Sequence, residues 1–176
     1  PDLVFIEAAV NDWGGNEKEI KDSMEGVIRQ IYENNPKTDI VLIYTTKKDA
    51  AQASYASGQT MKTVAWHEEI ASHYGIPSIN VGIELYEKVK KGEYTWEALL
   101  PDGTHPNDIG YELYAQTISQ ALQKELQKPA PAALADYKLP AKLYSTCYDK
   151  ADIADSWDMT YSGFEKSETS MGGRHP

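Results

Sequence analysis

Cysteine, phenylalanine and positive charge are what this chain has least of. A lone cysteine, Cys147, stands among 176 residues. It excludes an intrachain disulfide framework and a cysteine-rich zinc site, and it leaves the compartment open. The 17 Lys and Arg face 27 Asp and Glu, for a formal charge of -10 at pH 7. Such a surface repels phosphate backbones, and no run of Lys and Arg interleaved with aromatics overrides it locally, so nucleic acid is not an expected partner. No apolar run approaches the roughly 18 residues that cross a bilayer, so no membrane span is expected. No basic-then-apolar signal segment opens the chain either. Only 2 Phe accompany 12 Tyr and 4 Trp. That balance favours amphipathic rings, which often line polar, carbohydrate-type pockets as well as cores and rims.

A chain of this length, 41% hydrophobic and 25% charged, has ordinary globular composition and room for a sizeable core. Leu3-Val4-Phe5-Ile6 and Ile40-Val41-Leu42-Ile43-Tyr44 are continuous apolar runs, the pattern of strands covered on both faces in a parallel sheet. Ile76 to Val81 is a third short strand. Between them, Ile20, Met24, Val27, Ile28 and Ile31 recur at helical spacing until Asn34-Asn35-Pro36, and Met61 to Tyr74 repeats the pattern until Gly75. Leu85, Tyr86 and Val89, then Trp96 to Leu100, predict brief helices. Ile109, Leu113, Tyr114, Ile118, Leu122 and Leu126 mark a long final one. Thr45 to Gly58 reads as a long polar loop. Strands alternating with helices predict an α/β fold, a three-layer parallel sheet wound on both faces.

Residues 1-127 form this α/β unit. Lys128 to Ala135 begins as a Pro/Ala-rich linker, and 136-176 reads as the start of a β-rich module, with Ala141 to Cys147 and Ser156 to Phe164 alternating like short strands. Right-handed crossovers place Leu3–Ile6 on the edge of a three-stranded sheet, although its two apolar faces suit an interior. Two further strands are therefore expected from an N-terminal segment of the same protein.

The richest segment is Asp102-Gly103-Thr104-His105-Pro106-Asn107-Asp108-Ile109-Gly110. Its Gly and Pro keep it out of a helix and set a carboxylate and an imidazole three residues apart. Asp102 can accept the Nδ1 proton of His105 and leave Nε2 basic, as in the acid-base half of a hydrolytic triad. Asn107 or Asp108 would cap the next helix. At the carboxyl edge of the first strand, where open α/β sheets bind ligands, Asn11 can donate to a developing oxyanion. Asp12, Trp13 and Thr46 share that edge as candidate substrate-binding residues.

These two blocks resemble the SGNH or GDSL hydrolase superfamily of esterases and acylhydrolases. Ala9-Val10-Asn11-Asp12 matches its Gly-x-Asn-Asp block, and Asp102-Gly103-Thr104-His105 its Asp-x-x-His block, over approximately residues 2 to 127. The resemblance implies a flavodoxin-like sheet, Asn11 as side-chain oxyanion donor, His105 as general base and Asp102 as its orienting acid. It implies a small-molecule or carbohydrate ester as substrate and no cofactor. Two departures stand out. Ala9 occupies the usual glycine, where a positive φ would be strained. The family's Gly-Asp-Ser nucleophile block, with the glycine that supplies a backbone donor, has no counterpart on a suitable strand.

Other candidates carry less. Ala154-Asp155-Ser156 imitates Gly-Asp-Ser, but it follows the last helix with no strand leading into it. Ser54 and Ser57 are better placed to line a pocket. His67-Glu68 begins like a zinc-protease helix, yet position 71 is Ala71 and not histidine. Asp102, Asp108 and His105 alone make a poor metal site, so no metal is expected. Glu7 reads as a hydrogen-bonded carboxylate near a strand end. A non-catalytic carbohydrate-binding or adhesion module on a hydrolase scaffold is the competing expectation. A nucleotide-binding α/β domain ranks last, for want of a Gly-rich phosphate loop.

Overall fold

The computed structural model describes residues 1–129, 135–154, 159–160 and 162–163. Three parallel strands, β1 (Leu3–Ile6), β2 (Asp39–Tyr44) and β3 (Ser78–Asn80), lie in the order β1-β2-β3. Val4 pairs with Ile40, and Ile43 with Ile79. Central β2 is the most buried strand, with Ile40, Leu42 and Tyr44 almost wholly enclosed. That is what a run without polar alternation requires. β1 lies at the edge as its crossover dictates, and Leu3 and Phe5 remain 43% and 42% exposed.

Helices α1 (Glu17–Asn34) and α3 (Lys62–Tyr74) pack against each other. Helices α4 (Val81–Lys90), α5 (Trp96–Leu99) and α6 (Asp108–Leu126) form a second group, giving the expected α/β architecture. Ile28, Ile70, Val81, Leu85, Leu99 and Leu100 fill the core. Val27, expected on the apolar face of α1, is 46% exposed. Helices α1, α4 and α6 each start on an asparagine cap. Asn16 accepts from Glu19 N, Asn80 from Ile83 N, and Asn107 from Gly110 N. Asn107→Ala is expected to lower stability by about 1 kcal/mol. Chemical denaturation measures that loss, and an unchanged midpoint would refute the cap's contribution.

Two expectations need correction. The expected loop from Thr45 to Gly58 contains helix α2 (Lys48–Ser54) and a 3-10 turn over Tyr55–Ser57. Ala50 and Ala51 are fully buried and Tyr55 nearly so. Alanine is the best helix former, and this short polar segment gains a buried face that its low hydropathy hides. The expected strand over Ala141 to Cys147 is not formed, and no strand occurs in 135–154. The N–H groups of Leu143 and Tyr144 both donate to Glu25, at 2.6 and 2.8 Å. Successive amides of a strand point to opposite sides, so a shared acceptor demands a turning backbone. The other expected strand, Ser156 to Phe164, falls mostly outside the described residues.

Residues 135–154 instead form a strap over α1. Tyr137 stacks on Tyr32 with ring centres 4.0 Å apart. Its N–H donates to Pro36 O at 2.7 Å. Gln30 reaches Tyr148 O and Ala151 O. Gly26 lets the strap lie against the helix, for a Cβ there would stand 2.7 Å from the carbonyl carbon of Tyr148.

Candidate active site

The chain leaves β1 through Glu7–Val10 and enters a 3-10 turn over Asn11–Gly14. Asp12 N donates to Ala8 O at 2.9 Å and Gly15 N to Asp12 O at 2.8 Å, which closes the turn. Asn11 is exposed, and its side-chain amide makes no hydrogen bond among the described residues. It remains free to donate to a ligand. Among the described residues only glycines have a positive φ, so Ala9 carries none of the strain that the family's usual glycine would avoid. Ala9 is fully buried, and its carbonyl accepts from Thr63 Oγ1 at 2.7 Å. Glu7, at the strand end, accepts from Thr45 Oγ1 at 2.9 Å.

The second half of the site follows α5. Gly103 N donates to Leu100 O at 2.8 Å and Lys48 N to Gly103 O at 2.8 Å, which pins the turn to α2. Gly103 sits at φ 81, where a side chain would be strained. Asp102 Oδ2 lies 2.7 Å from His105 Nδ1, while its Oδ1 accepts from His105 N at 2.7 Å and Thr104 N at 2.9 Å. The imidazole ring and these two amides hold the Asp102 carboxyl well below the usual carboxylate range. An ionised Asp102 keeps hydrogen on Nδ1 and leaves the Nε2 lone pair to accept a proton. Both side chains face solvent, His105 at 76% and Asp102 at 58% exposure. Asn107 Nδ2 bonds Ala98 O at 3.0 Å, tying the loop's far end back to α5. Beside it lies a cleft of about 330 Å³ lined by Lys47, Lys48, Pro101, Asp102, Gly103 and Thr104.

The remaining candidates separate by environment. Trp13 is half-buried, with Lys47 Nζ 5.7 Å and Lys62 Nζ 5.5 Å from its ring centre. Lys47 therefore touches the Asn11 turn through Trp13 and lines the Asp102 cleft as well. Asp12 Oδ2 is bound by His67 Nε2 at 2.9 Å, with 27% of its side chain exposed. Thr46 needs correction as a substrate contact. It is fully buried, its hydroxyl meets Met61 Sδ and Lys47 O, and Gly82 of α4 packs closely against its Cβ. Ser54 is buried and the Ser57 hydroxyl returns to Ser54 O, so neither is presented to the site. Ser156 lies outside the described residues.

Sequence reasoning missed Thr63 and His67, which reach the Asn11 segment from α3. The available signal was a polar pair one turn apart on a helix face otherwise filled by Val64, Ile70 and Ala71. Burial pushes the His67 ring below its usual range, against the opposing pull of Asp12, Glu7 and Glu68. The ring is then neutral at neutral pH, with its hydrogen on Nε2 facing Asp12.

Two solved structures of a two-domain esterase active on acetylated mannans, one co-crystallised with mannopentaose, share this fold. They are 27% and 30% identical to the chain, each with a TM-score of 0.65, over 81% and 85% of its length. The chain spans 36% of each of those proteins. A third structure, 23% identical with a TM-score of 0.53, covers 70% of this chain and 64% of its own and supports the fold alone. No curated protein matches significantly. A family model spans residues 1–113, from β1 through the Asp102/His105 loop into α6, and by that match the chain belongs to the GDSL-like lipase/acylhydrolase family.

Proposed function

We propose that this chain supplies the base, its orienting acid and one oxyanion donor of a serine esterase that removes a small acyl group, such as acetyl, from a carbohydrate. The observation that carries the reading is the Asp102–His105 pair, with Nδ1 engaged at 2.7 Å and Nε2 turned outward. The family match supports ester chemistry. The activity of the two similar esterases on acetylated mannans supports the substrate class.

In this mechanism His105 Nε2 takes the proton of a serine hydroxyl as its oxygen attacks the ester carbonyl. Asn11 donates to the oxygen that becomes negative, and Asp102 stabilises the imidazolium. His105 returns the proton to the departing alcohol, then activates a water that hydrolyses the acyl-serine. Trp13 gives a sugar ring a flat apolar face beside this centre. No serine hydroxyl among the described residues hydrogen-bonds His105; this reading takes the nucleophilic serine from another segment of the full-length polypeptide.

The test uses the full-length polypeptide with a chromogenic acetyl ester and an acetylated manno-oligosaccharide. Turnover is expected, with stoichiometric labelling by a serine-directed phosphonate. Asn11→Ala is expected to lower kcat by roughly 10²–10³-fold. Absence of turnover and label across a broad ester panel would overturn the esterase reading in favour of a carbohydrate-binding module.

A further inference from the structure

We infer that Thr63 and His67 are positioning residues for Asn11, two side chains of α3 that hold the Ala9 carbonyl before it and the Asp12 carboxylate after it and so set where its amide points. The inference rests on the esterase reading and deepens it.

Thr63 Oγ1 donates to Ala9 O at 2.7 Å, and His67 Nε2 donates to Asp12 Oδ2 at 2.9 Å. Asn11 lies between those two anchor residues. Thr63 is fully buried, as is Ala9, so that bond is closed to bulk water, and His67 is 1% exposed beneath an Asp12 side chain that is 27% exposed. They stand four residues apart on one face of α3, where helix geometry stacks side chains one turn above another. A hydroxyl and an imidazole buried on an apolar helix face destabilise the fold unless they are bonded, and both bonds go to this one segment. Asn11 has no side-chain partner of its own among the described residues, so its amide takes its position from the backbone they hold. An oxyanion donor has a narrow tolerance, a hydrogen bond of about 2.7–3.1 Å to the developing charge. A shift of about 1 Å at such a group costs on the order of 10² in rate.

The variants are His67→Phe and Thr63→Val, which keep shape and remove the donor, beside His67→Gln and Thr63→Ser, which keep a donor near its place. In the full-length polypeptide, the first pair is expected to lose roughly 10–100-fold in kcat. KM is expected to stay within about twofold, and the second pair to recover most of the rate. Wild-type kcat in His67→Phe and Thr63→Val would overturn the inference. So would equal losses in the donor-keeping variants at matched unfolding midpoints. The side-chain amide resonances of Asn11, followed by NMR, separate this inference from the esterase reading. If the wild type cleaves no ester, displaced and broadened resonances in His67→Phe and Thr63→Val, restored in His67→Gln, still support it, and unchanged resonances sink it. Should His67→Phe fail to fold, Thr63→Val decides by the same two readouts.

Discussion

Glu25→Ala is expected to destabilise the chain by about 3–5 kcal/mol, the range found when one partner is removed from a buried charged network. Glu25 is fully buried on α1. Its carboxylate accepts from Tyr74 Oη at 2.5 Å, Leu143 N at 2.6 Å and Tyr144 N at 2.8 Å. Arg29 completes the network, donating to Tyr74 Oη at 2.9 Å and Pro140 O at 3.1 Å. Truncation leaves two strap amides and a phenol without an acceptor, and it leaves the Arg29 guanidinium with Asp149, 3.9 Å away, as its nearby carboxylate. Each orphaned buried group costs about 1–3 kcal/mol. Relief from desolvating the carboxylate offsets part of that sum, which is why the expected loss stays below the upper end of three such penalties. For a chain of this size the unfolding midpoint is expected to fall by about 10 °C. Hydrogen exchange should accelerate at Leu143 and Tyr144 before it does at β2. Glu25→Gln retains a carbonyl acceptor and should lose less. A strap that stays protected in Glu25→Ala would show that Tyr137 stacking alone holds it.

The strap was illegible in the sequence for the reason that makes Glu25 critical. The apolar spacing of α1 says nothing of Glu25 or Arg29, and the alternation over Ala141 to Cys147 suits a strand and not a turn around a carboxylate. Only the folded chain brings Glu25 to Leu143 and Tyr144, 118 and 119 residues away. The same limit applies at the site. Asp102 and His105 meet across three residues inside one Gly/Pro loop, so their contact follows from local backbone rules. His67 and Asp12 meet across 55 residues, and nothing in either neighbourhood specifies that pairing. β2, α3 and α6 were readable because burial on a fixed period leaves its trace in every turn or pleat. α2 left little trace because alanine is nearly neutral in hydropathy while strongly helical. Thr46 was misplaced because proximity to a strand end says nothing about which elements close over it.

His105→Ala is expected to lower kcat on an acetyl ester by roughly 10⁴-fold or more while leaving the unfolding midpoint in place. The two halves of that expectation have one origin. The imidazole is 76% exposed and the carboxylate 58% exposed, so the pair is screened by water and its removal disturbs little packing. In the proposed mechanism its contribution is proton transfer, which needs a free Nε2 and a fixed tautomer. Asp102→Asn keeps the loop's shape but offers an amide to Nδ1, which favours the wrong tautomer, and is expected to lose about 10³–10⁴-fold. The pH profile supplies the sign. Asp102 is held ionised far into the acid range by His105 and by the amides of Thr104 and His105, so it stays charged throughout the working range. Activity should therefore show no step from protonation of Asp102 as pH falls through the ordinary carboxylate range. A carboxylate step near pH 4, where an ordinary aspartate titrates, that vanishes in Asp102→Asn would mean that Asp102 is not gripped as the structure has it. Full turnover by His105→Ala would remove the imidazole from the reaction altogether.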